Sequence, residues 1–368
     1  MRFALDGRIV DVTPTGDGHI HTSYVVTTDA HSPGYLLQRL NTTVFPNTAS
    51  VTGNIDRVAR HQRRRAIAEG IDPRRHVLTI VPTRRGDLVA TDEDGGVWRA
   101  YVRIGRATAH SEIRSARQAE EIGRGFGRFL RWMSDFPVED LEPVLPRLHD
   151  VGHHLAAFDT AVRGDRMGRA TDAAAERAFI ESRREPVAEW ADLLAAGRLP
   201  RRTIHGDTKL NNVLLDDDDG HAMCVIDLDT VMAGTMLHDI GDCLRSALGG
   251  DAASMSGASS SAWDVVRSLW SGYLDEASGL ITAEECERVA EAARMETLCV
   301  GIRFLTDHLD GDRYFRTTAA GENLVRSRRH LDVVRRIEAE RRRMTGIVLD
   351  VAGQTGSRDG TGRTESVD

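Results

Sequence analysis

The segment His205-Gly206-Asp207-Thr208-Lys209-Leu210-Asn211-Asn212 is followed, after an acidic turn, by Cys224-Val225-Ile226-Asp227-Leu228-Asp229-Thr230. The pattern is H-x-D-x-K-x-x-N, a hairpin, and then an apolar strand ending in an aspartate. Each polar position has a use in phosphoryl transfer. Asp207 can accept the hydroxyl proton of an acceptor, and Lys209 is a mobile point charge able to follow a γ-phosphate as it moves. Asn212 offers an amide oxygen and Asp227 a carboxylate to Mg2+ bridging the phosphates of ATP. On a strand, Asp229 would share the face of Asp227 and complete a second metal position. Electrostatics dominate such a reaction, so loss of Asp207 or Asp227 should cost about 4 kcal/mol or more of transition-state stabilisation. A polar loop in which Asp207 merely caps a turn would not need this full spacing.

The 368-residue chain has 48 Lys and Arg residues, of which Lys209 is the only lysine. A Walker A loop needs Gly-Lys-Ser/Thr, and Lys209 stands between Thr208 and Leu210, so that loop is excluded. A Schiff-base enzyme would have to use Lys209 itself. Against 56 Asp and Glu the formal net charge is −8, which argues against nonspecific binding to nucleic acid. At 40% hydrophobic and 28% charged the composition is globular, with chain enough for one large or two moderate domains. No run approaches about 18 apolar residues, so no membrane span is expected. The start, Met1-Arg2-Phe3-Ala4-Leu5-Asp6, meets an acid before any apolar stretch forms, so no secretory signal is expected. Cys224, Cys243, Cys286 and Cys299 show no C-x-x-C spacing, so neither a zinc ribbon nor a disulfide framework is expected, and a reduced cytoplasm is the default.

The elements that must position these groups fall into two parts. Residues 1–104 read as strands with one helix. Arg8 to Val12 and Ser23 to Thr27 flank a turn bearing Gly16 and Gly18, and Tyr35 to Leu40 is a third strand. Asn47 or Thr48 caps a helix through Ile55, Val58 and Ala59 to Gly70. His76 to Val81 and Leu88 to Thr91 are strands, and Asp92 to Gly96 turns into Trp98 to Ile104. From Ser111 the apolar residues Ile113, Ala116, Ala119, Ile122 and Phe126 recur at helical spacing. Helices are expected near 150–163, 173–197, 237–248, 262–277, 283–309 and 320–344, with short strands over 201–231. Residues 105–352 are therefore a helical lobe. Gly249 to Ser261 reads as a mobile loop, and residues 353–368 as a disordered tail.

These segments resemble the aminoglycoside phosphotransferase/choline kinase superfamily, and within it the N-acetylhexosamine 1-kinases. The resemblance covers roughly residues 15–345. It is carried by Leu36 to Thr42, His205 to Asn212, Val225 to Asp242, Gly301 to Asp307, and on through Gly311-Asp312 to Tyr314-Phe315. It implies an α+β, two-lobed protein-kinase-like fold with a small β-rich N-lobe and a larger helical C-lobe. It further implies an ATP- and Mg2+-dependent kinase acting on the anomeric hydroxyl of a hexose or N-acetylhexosamine. Asp207 would be the catalytic base, Asn212 and Asp227 the magnesium ligands, and Thr230, Arg303, Tyr314 and Asn41 the sugar-facing side chains. An aminoglycoside or other antibiotic O-phosphotransferase is the alternative.

The residues support these roles unevenly. Arg303 points to a cleft or a buried acid, or pairs with Asp307 one turn on. Tyr314 stacks on a sugar or packs as a helix-end aromatic, and Thr230 must lie near any metal on Asp227. Protein kinases hold the α- and β-phosphates with a lysine on the third strand, where this chain can offer only Arg39. The nucleotide loop has two glycines, Gly16 and Gly18, rather than three. Asp239-Ile240-Gly241-Asp242 opens a helix. Capping accounts for at least one of its acids, and bracing of the catalytic loop is open to it. Asp17-Gly18-His19-Ile20-His21 also looks like the first metal site of an amidohydrolase, with Lys209 carbamylated, but that fold needs eight strand–helix units. A catalytically dead pseudokinase would be expected to lack Asp207 or Asp227, and neither is missing. A kinase for polycationic aminoglycosides should line its pocket with carboxylates. The acceptor segment instead balances Arg303, Arg313 and Arg316 against Asp307, Asp310 and Asp312, which suits a neutral sugar.

Overall fold

Alternating apolar residues in the first part of the chain fold as one antiparallel sheet. The computed structural model describes residues 2–15, 20–30, 33–249 and 261–360. Gly16, Gly18, residues 250–260 of the Gly/Ser/Ala loop and residues 361–368 lie outside them. The strands are β1 (Ile9–Thr15), β2 (Thr22–Thr28) and β3 (Tyr35–Arg39). After helix α1 (Thr48–Ala68) and the single turn α2 (Pro73–His76) come β4 (Ile80–Val81), β5 (Ala90–Thr91) and β6 (Val97–Val102). They are ordered β1-β2-β3-β6-β4, and β5 also pairs with β6.

The period of two sorts the sheet into two faces. Tyr35, Leu37, Trp98, Ala100 and Val102 meet Phe3, Val26 and Val81 in a small outer core. Leu36 and Tyr101 join the main core with Val51, Ile55 and Val58 of α1. Gln38 lies opposite Arg99, and Arg39 opposite Trp98. Gln38 and Arg99 therefore stand on the inner face, and Arg39 on the outer one. Asn47 is the cap of α1, its side chain accepting the Ser50 N–H at 3.2 Å. His76, expected to open a strand, ends α2 instead, because the Asp72 cap and Pro73 start a helical turn there.

The second lobe holds α3 (Ala116–Trp132), α4 (Val151–Gly164), α5 (Ala174–Glu181), α6 (Arg184–Ala195), α7 (Met236–Ala247), α8 (Ala262–Ala277), α9 (Ala283–Asp310), α10 (Glu322–Ala339) and α11 (Arg341–Gly360). The helix expected over 173–197 breaks between α5 and α6, and the one over 320–344 ends at Glu340. The last helix runs on to Gly360, beyond the point where disorder was expected. Met344, Ile347, Val348 and Val351 bury one side of it, and the Trp270 indole donates to the Val348 carbonyl at 3.0 Å. Helices α3 and α8 touch backbone to backbone: a Cβ at Gly123 would strike the Leu269 carbonyl, and one at Gly272 the Glu120 carbonyl.

Two small sheets sit between these helices and the N-lobe. β7 (Ala107–Ala109), which periodicity did not reveal, pairs with β9 (Val213–Asp216), and β9 with β10 (Ala222–Val225). β8 (Arg202–Ile204) pairs with β11 (Met232–Gly234). Every strand pairing among the described residues is antiparallel, so the alternating barrel of an amidohydrolase is excluded.

Candidate active site

The loop that leaves β8 is held by an aspartate from α7. Asp239 accepts the His205 N–H and the Gly206 N–H, each at 2.8 Å, one on each carboxylate oxygen. The Thr208 hydroxyl donates to the Asp239 carbonyl. Thr235, not Asp239, caps α7, which leaves the Asp239 carboxylate available as this brace. Burial pushes its carboxyl up, against the pull of His205 and the two backbone donors. Gly206 has φ +79°, and a Cβ there would meet the Thr230 carbonyl at 2.6 Å, so both the turn and the close approach require glycine. The buried His205 ring packs edge-on to Phe126 and Phe129. Its Nδ1 accepts the Asp207 N–H at 3.2 Å, so Nε2 is the protonated nitrogen that donates to the Ile226 carbonyl at 2.9 Å. His205 thus ties the catalytic loop to the strand that precedes Asp227.

Asp207 and Lys209 are partly exposed and paired at 3.0 Å. The Asn212 amide nitrogen donates to the Asp207 carbonyl at 2.7 Å and to its carboxylate at 3.3 Å. The Asn212 amide oxygen is then the atom that remains for a cation. Asp227 sits in the left-handed region at φ 62°, a strained conformation for a residue with a side chain. Its surface is open, yet protein surrounds it. Burial and the charges of Asp229 and Asp207 push its carboxyl up, and Lys209 and Arg99 offset only part of this. An amide oxygen and a carboxylate short of positive charge are hard oxygen donors, the set that suits Mg2+.

The strand expected to end on Asp227 stops at Val225. The kink at Asp227 and a 3-10 turn over Leu228–Thr230 turn Asp229 away from the face of Asp227 and toward the N-lobe. There Asp229 lies 2.7 Å and 2.9 Å from the guanidinium of Arg99 on β6 and 2.5 Å from His21 Nε2. Burial works against its charge, but Arg99 and His21 outweigh that and hold the carboxyl at about 2. As it stands, its oxygens serve an ion pair rather than a cation. Arg39 is exposed on the outer face beside Gly96 and Asp92. Arg99, not Arg39, is the sheet cation that faces the acids. Sequence reasoning passed over Arg99. Its signal was an arginine at the centre of the otherwise apolar Val97-Trp98-Arg99-Ala100-Tyr101-Val102.

The expected acceptor residues separate into two groups. Thr230 is buried, and its hydroxyl donates to the His205 carbonyl at 2.8 Å. Asn41 accepts the Thr43 and Val44 N–H groups at 3.0 Å and 3.2 Å. The Thr230 hydroxyl proton and the Asn41 amide oxygen are thus bonded to backbone. Arg303, on α9, lies over the rings of Tyr314 and Phe315 at 5.8 Å and 5.5 Å, and Tyr314 is 49% exposed. Asp307 does not pair with Arg303. It accepts the Arg313, Tyr314 and Phe315 N–H groups at 2.8, 2.8 and 2.9 Å, and the Asn323 amide at 2.9 Å. Asp312 takes Arg169 at 2.7 Å and Asn323 at 2.9 Å.

A β-rich lobe over a helical lobe, with Asp207, Lys209, Asn212 and Asp227 gathered beneath the junction, is the arrangement of a kinase-like small-molecule phosphotransferase. The chain belongs to the phosphotransferase enzyme family (APH), whose family model matches residues 11–269. Among solved structures it is similar to the amicoumacin kinase hAmiN, at 16% identity over 88% of each chain with a TM-score of 0.60. An aminoglycoside phosphotransferase from Alicyclobacillus acidocaldarius matches at 13% identity over 97% of this chain and 95% of its own, TM-score 0.60. A microcompartment-associated aminopropanol kinase matches at 14% over 94% and 96%, TM-score 0.56. At these identities the likeness is one of fold. Among the described residues no helix is long and apolar enough to cross a membrane.

Proposed function

We propose that the chain transfers the γ-phosphate of ATP to the anomeric hydroxyl of a hexose or N-acetylhexosamine, giving a sugar 1-phosphate. Asp207 takes the anomeric proton as that oxygen bonds to the γ-phosphorus and the bond to the β-phosphate oxygen breaks, releasing ADP. Lys209, 3.0 Å from Asp207, follows the charge of the moving phosphoryl group. Asn212 and Asp227 hold Mg2+, which when bound neutralises the nucleotide phosphates. The nucleotide lies between the Asp227 turn and the N-lobe, with Gly16 and Gly18 in the sequence between β1 and β2.

The observation that carries the acceptor class is the state of the charges around Arg303. Asp307 and Asp312 are taken up by backbone, Asn323 and Arg169. Among the described residues no carboxylate pairs with Arg303, which lies instead against Tyr314 and Phe315. Arg303 without a paired carboxylate, set against the rings of Tyr314 and Phe315, suits a neutral, hydroxyl-rich acceptor better than a polycation. The test is phosphate transfer from ATP·Mg2+, followed by mass spectrometry, to free hexoses, N-acetylhexosamines, their methyl glycosides and aminoglycosides, with Asp207→Asn as control. Transfer to free sugars but not to methyl glycosides is the expected result. Transfer to aminoglycosides alone would leave the catalytic assignment standing and overturn the acceptor.

A further inference from the structure

Asp229 is the point at which the N-lobe grips the metal turn. Three N-lobe strands supply the grip. Arg99 of β6 donates through Nη2 to Asp229 Oδ2 at 2.9 Å, with Oδ1 2.7 Å from the same nitrogen, and donates through Nε to Gln38 Oε1 of β3 at 2.9 Å. Gln38 in turn donates to Ser23 Oγ of β2 at 3.1 Å. His21, just before β2, accepts the Asn41 N–H on Nδ1 at 3.0 Å, so the proton on Nε2 is the one given to Asp229 at 2.5 Å. Arg99 and Asp229 are 1% and 4% exposed at their side chains, and the Arg99 Nη1 is buried without a hydrogen-bond partner.

Such a pair is poorly explained by stability alone. Burying two charges costs several kcal/mol, and well-packed apolar side chains of similar volume often do as well or better. What the arginine does supply is geometry: a planar guanidinium, anchored at Nε by Gln38, aims Nη2 at the carboxylate. The residue so fixed stands two positions after Asp227, whose left-handed φ of 62° must be maintained by its surroundings.

We propose that Arg99 is a positioning residue for the metal–nucleotide site: by holding Asp229 against the N-lobe it sets the conformation of Asp227 and so the affinity for Mg2+ in the nucleotide complex. The inference rests on the phosphotransferase reading and is independent of which acceptor is used.

The test is calorimetric titration of the full chain with ADP, with and without Mg2+ and with no acceptor present. Arg99→Met should lose about tenfold or more of the affinity that Mg2+ adds to ADP binding, the range expected for residues that orient a metal ligand. Binding of ADP without Mg2+ should stay within about twofold, since the nucleotide itself does not touch Arg99 in this scheme. Arg99→Lys, which keeps the charge and loses the Nε bond to Gln38, should restore part of the loss. A folded Arg99→Met variant whose Mg2+ dependence is intact overturns the proposal, whatever its thermal stability. If Arg99→Met fails to fold, Gln38→Leu removes the bond that aligns the guanidinium, together with the Gln38 bond to Ser23, and leaves the Arg99–Asp229 contact in place. It should give a smaller loss of the same kind, and an unchanged Mg2+ dependence there overturns the proposal as well. A metal role for Asp229 itself would show the opposite sign, because Arg99→Met would release a ligand and strengthen Mg2+ binding.

Discussion

Asp229, between the lobes, and Glu296, inside the helical lobe, are buried to the same degree, each 3% exposed. In both, charged and hydrogen-bonding partners outweigh burial and hold the carboxyl at about 2. The partners differ in kind. Asp229 is held by Arg99 and His21, whereas Glu296 accepts from His238 Nδ1 at 2.7 Å and His149 Nδ1 at 2.9 Å. The two imidazoles stack at 4.7 Å. Burial alone would discharge His149, but Glu296, with Asp242 and Asp239 behind it, raises it to about 9. Arginine cannot give up its proton in a protein, and histidine can. The clamp between the lobes is therefore permanent, while the one inside the helical lobe has an exit when its acid is removed or the pH rises.

The largest expected effect follows from that asymmetry. Asp229→Asn leaves Arg99 charged and buried, and should cost about 3–5 kcal/mol in urea unfolding of the nucleotide-free protein. Glu296→Gln lets His149 discharge, so its cost should be smaller, about 1–3 kcal/mol. Equal losses in the two variants would mean that the identity of the cation does not matter and would break the comparison.

The pH dependence sharpens it. His149 is raised from 6.5 to about 9, so its contribution is complete below pH 6.5 and is lost as pH rises through about 9. Glu296 is lowered from 4.5 to about 2, so the same pair is complete above pH 4.5 and is lost as pH falls through about 2. Thermal melts of the wild type should therefore fall between pH 6.5 and about 9, and the step should be missing from Glu296→Gln. A step of unchanged size in that variant would move the titration elsewhere. The smallest expected effect lies away from both acids. Asn47→Ala removes the α1 cap and should cost about 1 kcal/mol in the same unfolding measurement, a scale against which the other losses can be read.

The catalytic loop was legible because its chemistry is local. His205 to Asn212 is a short stretch in which offset alone brings base, lysine and amide together, and Asp227 follows through one hairpin. The helical lobe was legible wherever one apolar face ran unbroken, as in α3 and α9. It was misread where a capless break intervened, as between α5 and α6. Strand β7 escaped notice because three residues carry no measurable period. The N-lobe half of the site was hardest. Arg39 and Arg99 are equally basic in sequence, and only the register Gln38↔Arg99 and Arg39↔Trp98 sends one arginine inward and the other to the surface.

By itself, the sequence carried the phosphotransferase segment, with Asp207, Lys209 and Asn212 in one loop and Asp227 one hairpin on, and the two lobes around it. Tertiary structure alone decided that Asp229 faces Arg99 and His21, that the Thr230 hydroxyl and the Asn41 amide oxygen bond to the backbone, and that Arg303 stands beside Tyr314 with no carboxylate paired to it among the described residues. The reason is physical. Groups a few residues apart are placed by backbone geometry that every chain shares, whereas partners 130 residues apart, like Arg99 and Asp229, meet only through the register of a sheet and the packing of two lobes.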